Sequence, residues 1–176
     1  MRPFKPFELP IEEQINPMEF YNELINASTN VGKYQVMLKK SKVNEYFLIT
    51  PFSLQEAVKS SKIEGTQVTF DEVLEFDIDK NEKNNDAQEV LNYYDALNYG
   101  ERALEKYPIS TRLFKKLHEI LMSNGVRGQN RAPGEYRSIQ NFIGPERCTL
   151  ETATFVPPQP QLVDSYMSNL ENYINN

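Results

Sequence analysis

The chain has 176 residues, a net charge of −6 and a single cysteine. This length allows one domain with a sizeable core, and the acidic balance argues against binding to nucleic acid or to an anionic membrane. One cysteine, Cys148, cannot form an internal disulfide, so we expect a reducing, cytoplasmic location. No apolar segment of the signal-peptide type opens the sequence and no apolar run is long enough to span a bilayer, so we expect no membrane contact.

The first forty residues predict an extended arm and then a long helix. Residues 1–16 are punctuated by prolines and should be extended. Asn16 and Pro17 are typical of a helix cap and a first helical position. Apolar residues then recur at alternating spacings of three and four, which is typical of one face of an amphipathic helix ending near Lys40. The residues of this face are Phe20, Leu24, Ala27, Val31, Tyr34 and Leu38.

Cap signals place four further elements. Thr50 and Pro51 predict the start of a helix that ends at Ile63, and Thr69 with Glu72 forms a capping box that opens a short helix through about Phe76. Residues 77–85 predict a polar loop. The next helix begins at Asp86 and ends at Pro108, with Val90, Leu91, Tyr94, Leu97, Leu104 and Tyr107 as its predicted buried set. Ser110 then caps a helix that ends before Asn124 and Gly125.

After Gly125 the pattern changes from helical to extended. Residues 135–144 and 152–156 predict two strands, and the two prolines at 157 and 158 end the second strand. Residues 161–175 predict a terminal helix. The sequence therefore predicts a mainly α protein with one β-hairpin.

One carboxylate has an unusual position in this scheme. Glu64 lies at the C-terminal end of the helix that begins at Pro51, where the helix dipole is negative. Ser60 lies four residues earlier on the same face, and Gly65 follows where a left-handed residue commonly ends a helix. A carboxylate is mildly unfavourable there, so we expect Glu64 to meet a cation supplied from elsewhere.

Two stretches resemble the Fic (filamentation-induced-by-cAMP) family. Residues 56–67 resemble the Fic inhibitory helix, whose pattern Ser/Thr-x-x-x-Glu-Gly/Asn is met by Ser60, Glu64 and Gly65. Residues 131–144 together with 153–158 resemble the Fic flap hairpin. The resemblance covers nearly the whole chain and implies a Fic-type helical bundle. Residues 1–176 would form one N-terminal region, composed of an extended arm at 1–16, the inhibitory helix and turn at 51–68, the flap hairpin at 135–158 and a terminal helix at 161–175.

The resemblance also implies an activity. Fic enzymes typically transfer AMP from ATP to a hydroxyl of a target protein, so the complete enzyme should use ATP and Mg²⁺, and a target with a Ser, Thr or Tyr hydroxyl is the expected partner. Glu64, supported by Ser60 and Gly65, would be the inhibitory residue, and its cation would be an arginine of the Fic catalytic segment. Four flap positions would border the nucleotide and the target peptide, or merely pack the hairpin: Ile143, Gly144, Thr154 and Phe155.

The sequence departs from the family at its catalytic motif. Fic enzymes carry His-Pro-Phe followed by Gly-Asn-Gly-Arg, whereas the single histidine here, His118, precedes Glu119 and we interpret it as structural. We therefore expect the chain alone to have no catalytic residue, metal ligand or bound cofactor. It should be the N-terminal part of an autoinhibited adenylyltransferase that requires a C-terminal Fic segment or self-association.

Two alternatives stay open. In the first alternative, the chain is a non-catalytic inhibitory module that supplies Glu64 to a separate Fic protein. In the other alternative it is a plain helical interaction domain whose motifs match by chance, and Glu64 is then an ordinary solvated carboxylate.

Overall fold

The structure is a computed structural model that describes residues 2–42, 45–79 and 84–176. The chain divides into two compact units. The N-terminal unit is Glu12–Tyr94. The C-terminal unit combines Asp95–Asn176 with the arm that ends at Ile11. The described residues are mainly helical, which confirms the predicted class, and none of their helices is long and apolar enough to cross a membrane.

The N-terminal unit begins with two short 3₁₀ turns, Glu12–Gln14 and Pro17–Phe20, followed by α1 (Tyr21–Lys40). The predicted cap at Asn16 is confirmed, because its side-chain oxygen accepts the Met18 N–H at 3.2 Å. The first turn is 3₁₀ rather than α, and α1 ends at the predicted residue. The Asn16 side chain therefore fixes the start of this segment, and backbone hydrogen bonds from the Ser41 N–H to the Met37 and Leu38 carbonyls close its end.

The apolar face predicted for α1 is exposed. Leu24, Val31 and Tyr34 keep 54%, 56% and 60% of their accessible surface, and no residue of α1 is buried. The spacing is that of a helix that packs through this face, yet no described residue covers it. The face is therefore available to another chain or segment.

The second helix, α2, spans Glu45–Ile63, and the predicted start at Thr50 and Pro51 is wrong. Pro51 lies inside α2, where it lacks the N–H for one helical bond at a cost of roughly 3 kcal/mol. The helix continues across it because the following residues are anchored in the core. Buried Ala57 and Val58 supply that anchor.

The core of the N-terminal unit lies between α2, α3 (Phe70–Ile78) and the first half of α4 (Asn85–Leu104). Its fully or almost fully buried side chains are small and aliphatic, and aromatic side chains pack around them. The buried set is Ala57, Val58, Val68, Val73, Ala87, Val90 and Leu91, flanked by Leu54, Phe70, Phe76, Tyr93 and Tyr94.

Two caps position α3 and α4. The Thr69 capping box is confirmed: the Thr69 N–H donates to Glu72 Oε2 at 2.7 Å, and the Glu72 N–H donates to Thr69 Oγ1 at 3.3 Å. The Asn84 side chain accepts the Ala87 N–H at 3.0 Å, and α4 begins at Asn85, one residue before the predicted start. Residues 80–83 of the predicted loop lie outside the described residues.

The end of α4 differs from the prediction. The helix ends at Leu104, and Leu104 and Tyr107, both predicted to be buried, are 47% and 60% exposed. The chain leaves the helix because the Lys106 and Tyr107 N–H groups both donate to the Ala103 carbonyl, which forms a turn before Pro108. The helical spacing of apolar residues in the sequence therefore continues beyond the residues that are buried in the structure.

The C-terminal unit pairs α5 (Thr111–Leu121) with α6 (Pro160–Asn175). Ser110 caps α5 as predicted, accepting the Leu113 N–H at 3.3 Å. The Thr111 N–H donates to Glu171 Oε2 at 2.6 Å, and Asn175 Nδ2 donates to the Ile109 carbonyl at 2.8 Å. These two bonds join the start of α5 to the end of α6.

The two predicted strands are not confirmed. Among the described residues the only pairing of the β type is one antiparallel bridge, Ile143 with Phe155. Side chains take backbone acceptors that a ladder would use: Arg137 donates to the Pro158 carbonyl, and Gln140 Nε2 donates to the Pro157 carbonyl at 3.0 Å. The two prolines also have no N–H to donate, so pairing stops at the bridge.

The capping box makes the stability of α3 depend on pH. Hydrogen bonds from the Thr69 N–H and then from its hydroxyl lower the pKa of Glu72 below its usual 4.5. A carboxyl group whose pKa is lower in the folded than in the unfolded state stabilises the folded state at pH values above its unfolded pKa. This stabilisation is lost as the pH falls through the folded pKa.

We expect Glu72→Gln to flatten the loss of helicity between about pH 5 and pH 3, measured by circular dichroism. Glu75→Gln, an exposed change on α3, is the control. Equal pH profiles for the two variants would exclude this contribution.

Candidate functional site

A tight chain reversal follows α2 and carries Glu64. The Ser61 carbonyl accepts the N–H groups of Glu64 at 3.0 Å and Thr66 at 3.2 Å, so two donors converge on one acceptor. Gly65 has a φ of +102°, in the left-handed region that disfavours side chains. The reversal therefore requires glycine after Glu64, as the sequence pattern predicts, and it leaves the Glu64 side chain exposed.

The electrostatic setting of Glu64 is that of a carboxylate without a counter-charge. In the described parts of the chain no lysine or arginine forms an ion pair with it. It also lies one residue beyond the end of α2, where the helix carries a partial negative charge. An incoming cation would therefore meet both the carboxylate and the negative end of the helix.

Residues that the motif does not include hold this reversal in place. Ser61 and Thr66 are 8% and 2% exposed, and the Gln67 N–H donates to Asp86 Oδ2 at 2.8 Å. Ser60, the predicted supporting residue, is half-buried and makes no side-chain hydrogen bond within the described ranges. The sequence pattern does not reveal these contacts. Ser61 contributes its backbone carbonyl, which every residue type has, and the hydrogen bond to Asp86 joins residues that are distant in the sequence.

The outer face of α2 leads to Glu64. Phe52 and Ile63 are 68% and 85% exposed, and Glu56 and Lys59 lie exposed between them at helical spacing. Glu56 accepts a hydrogen bond from the Tyr93 hydroxyl at 3.3 Å. The face combines two large apolar side chains with charged groups, which is the composition of a surface that packs against another element.

The four predicted flap positions lie together in the C-terminal unit. The Ile143 N–H donates to the Phe155 carbonyl at 2.8 Å, and the Thr154 and Phe155 N–H groups donate to the Ile143 carbonyl at 2.8 and 3.0 Å. All four positions, Gly144 included, are exposed. The four positions therefore lie together at one exposed bridge and not in a hairpin of two strands.

Close packing explains why position 144 is glycine. A Cβ placed there would lie 2.7 Å from Cys148 Sγ, 3.2 Å from the Thr154 nitrogen and 3.3 Å from the Ala153 Cα. Two of these three neighbours are backbone atoms, which move only if the loop moves. Gly144 thus lets the chain between Pro145 and Thr152 fold back onto the bridge.

A groove of about 870 Å³ in the C-terminal unit lies between α5, residues 131–141 and Val163 of α6. His118 lines it, and its Nδ1 accepts the Gly134 N–H at 2.9 Å, so one ring nitrogen serves the backbone. Arg137 is bound to the carbonyls of Pro158 and Ile139. His118 thus ties Gly134 to α5, which supports the structural interpretation of His118, whereas Arg137 joins its loop to the segment that precedes α6.

In ranges 2–42, 45–79 and 84–176, no group of three or more His, Cys, Asp or Glu side chains lies close enough together to hold a metal ion.

Comparison with known proteins bears on the region around Glu64. Residues 21–102 match the family model described as Fic/DOC family N-terminal. The matched range contains α1, α2, α3 and most of α4, and with them Ser60, Glu64 and Gly65. It does not reach the bridge at Ile143. A search of curated proteins gave no match.

Substitution of Gly144 tests the close packing of the bridge. We expect Gly144→Ala to destabilise the C-terminal unit by about 1–3 kcal/mol, because the added methyl group overlaps with three neighbours. Adding Cys148→Ala should restore only part of this loss, since the contacts with Thr154 and Ala153 stay. Urea unfolding measures both variants, and an unchanged midpoint for Gly144→Ala would contradict the packing.

The hydrogen bond between His118 and Gly134 predicts that two substitutions of His118 lower the stability by different amounts. His118→Ala should cost about 1–2 kcal/mol, because the half-buried Gly134 N–H loses its acceptor. His118→Asn should retain most of the stability, since its Oδ1 lies at the same bond separation from Cα as Nδ1. Chemical denaturation compares the two variants. Equal losses in both would show that ring packing, and not the hydrogen bond, accounts for the effect.

Proposed function

The chain carries the N-terminal region of the Fic/DOC family over residues 21–102, and from this premise we propose that it restrains AMP transfer from ATP to a target-protein hydroxyl. The restraining group is Glu64. The observation that carries the proposal is the exposed Glu64 carboxylate, which has no counter-charge among the described residues and is held by a glycine turn at the end of a helix within the matched region.

The restraint works by competition for one cation. Glu64 binds an arginine of a Fic catalytic segment, and the same arginine would otherwise bind the γ-phosphate of ATP. An arginine presents a planar fork that suits a carboxylate or a phosphate oxygen pair. With Glu64 in place, the phosphate loses this contact and meets a like charge. The bound nucleotide is then badly oriented for transfer.

Two exposed apolar faces of the N-terminal unit support docking of such a segment. The outer face of α2 exposes Phe52 and Ile63, and α1 exposes Leu24, Val31 and Tyr34. Burial of a large apolar side chain is worth roughly 1.5–3 kcal/mol, so these faces favour association with another element. The occupant proposed here is a Fic catalytic segment, with self-association of the chain as the alternative. Docking through α2 would place an arginine next to Glu64.

The flap positions have a supporting role in the proposal. Ile143 and Phe155 expose 64% and 40% of their surface at the bridge, and Gly144 and Thr154 lie beside them. An exposed backbone edge with apolar side chains suits an extended peptide that carries the target hydroxyl. The base that removes the hydroxyl proton and the ligands of Mg²⁺ belong to the catalytic segment.

The proposal predicts that removal of the Glu64 charge activates transfer. In the natural protein that includes its catalytic segment, we expect Glu64→Gln to raise AMP transfer by roughly 10- to 100-fold, the equivalent of one charge-assisted bond lost by the restrained state. Incorporation of label from α-³²P-ATP into protein is the measurement. Glu75→Gln, the exposed carboxylate on α3, is the matched control and should leave the rate unchanged.

Three outcomes would contradict this function. An unchanged rate in Glu64→Gln, with ATP and Mg²⁺ saturating and subsaturating, would remove the inhibitory role. Transfer by the isolated 176-residue chain would show that the base and the metal ligands lie within it. If no transfer occurs in any assembled form, the chain is a helical interaction domain.

A further inference from the structure

The N-terminal arm, residues 2–11, is tied to the C-terminal unit at two points. At the first point the Phe4 N–H donates to the Val156 carbonyl at 2.7 Å, and the Phe4 and Phe155 rings lie 5.8 Å apart between centroids with their planes tilted by 46°. At the second point the Leu9 N–H donates to Asn169 Oδ1 at 2.8 Å, and Asn169 Nδ2 donates back to the Leu9 carbonyl at 3.0 Å.

These contacts join segments that lie far apart in the sequence. Leu9 and Asn169 are separated by 160 positions, and their reciprocal pair uses both donor and acceptor of the asparagine amide. An arm of a few residues is ordered only if such contacts offset its conformational entropy. The arm therefore runs from α6 to the segment 153–156 with a fixed register.

The segment 153–156 has little other support. Ala153 and Val156 are 3% and 1% exposed and anchor its two ends. Thr154 and Phe155 between them are exposed, and among the described residues their backbone pairs with Ile143 alone. An isolated bridge without a ladder is weak. Phe4 supplies the aromatic contact to Phe155 and a backbone bond to the next residue.

We propose that the arm is a positioning clamp for Phe155 and hence for the exposed bridge formed by Ile143 and Phe155. Phe4 is the positioning residue, and Asn169 fixes the other end of the arm. The positioning of Phe155 by Phe4 is argued from these contacts alone. Its consequence for the binding of a target peptide rests on the proposed function.

Hydrogen exchange of the 176-residue chain tests the clamp. The amides of Ile143, Thr154 and Phe155 all donate within the bridge, so their exchange reports its opening. Phe4→Ala should speed exchange at these three amides by about fivefold, the scale of one aromatic pair. Phe7→Ala is the matched control, because Phe7 lies on the same arm, is 71% exposed and should leave exchange unchanged. Phe4→Tyr keeps the ring and should retain protection.

A second variant keeps the test decisive if Phe4→Ala does not fold. Asn169→Ala removes the other tie and should also speed exchange at the bridge. Unchanged exchange in both variants, or an equal effect of Phe7→Ala, would overturn the clamp.

The consequence for transfer has its own measurement. In the natural protein carrying Glu64→Gln, Phe4→Ala should raise the KM for the target about fivefold with little change in kcat. Faster exchange with an unchanged KM would overturn the positioning role in catalysis. No activation by Glu64→Gln would instead overturn the proposed function, while the exchange data still decide whether the clamp exists.

Discussion

The chain reversal after α2 is the constraint on which the rest of the N-terminal unit depends. Two N–H groups converge on the Ser61 carbonyl, and Gly65 adopts the left-handed conformation that lets them do so. The reversed chain then buries Thr66 and Val68 and enters the Thr69 cap of α3. Because α3 packs on α2 and α4 through one aliphatic core, the position of Glu64 is fixed by the fold of three helices and not by its own contacts.

The exposure of Glu64 gives a physical basis for a reversible restraint. A carboxylate in water gains little from an ion pair, because solvent screens the attraction and both side chains lose freedom. The same pair is worth more when a docked surface excludes water around it. The exposed apolar residues on the outer face of α2 can supply that exclusion. Under the proposed function, a phosphate that competes for the arginine would then shift the balance by differential binding, as any ligand that selects one state must.

Sequence reasoning succeeded where the determining interactions are local. The caps at Asn16, Thr69 and Ser110 depend on side chains within three residues, and the glycine after Glu64 is required by one dihedral angle. It failed where tertiary packing or distant contacts decide. Helix α2 continues through Pro51, and side chains such as Arg137 bind backbone carbonyls that a strand ladder would use. The arm is bound to a segment some 150 residues away. The inhibitory and flap roles of the candidate residues stay predictions.

ATP affinity is the quantity that competition for an arginine changes most directly. Calorimetric titration of ATP into an assembly of this chain with a Fic catalytic segment, with and without Glu64→Gly, separates nucleotide binding from the chemical step. If Glu64 occupies the cation that receives the γ-phosphate, ATP should bind roughly tenfold or more tightly to the variant, whereas AMP, which has no γ-phosphate, should bind both proteins equally. Equal ATP affinities, or an equal gain for AMP, would contradict the competition that the account places at Glu64.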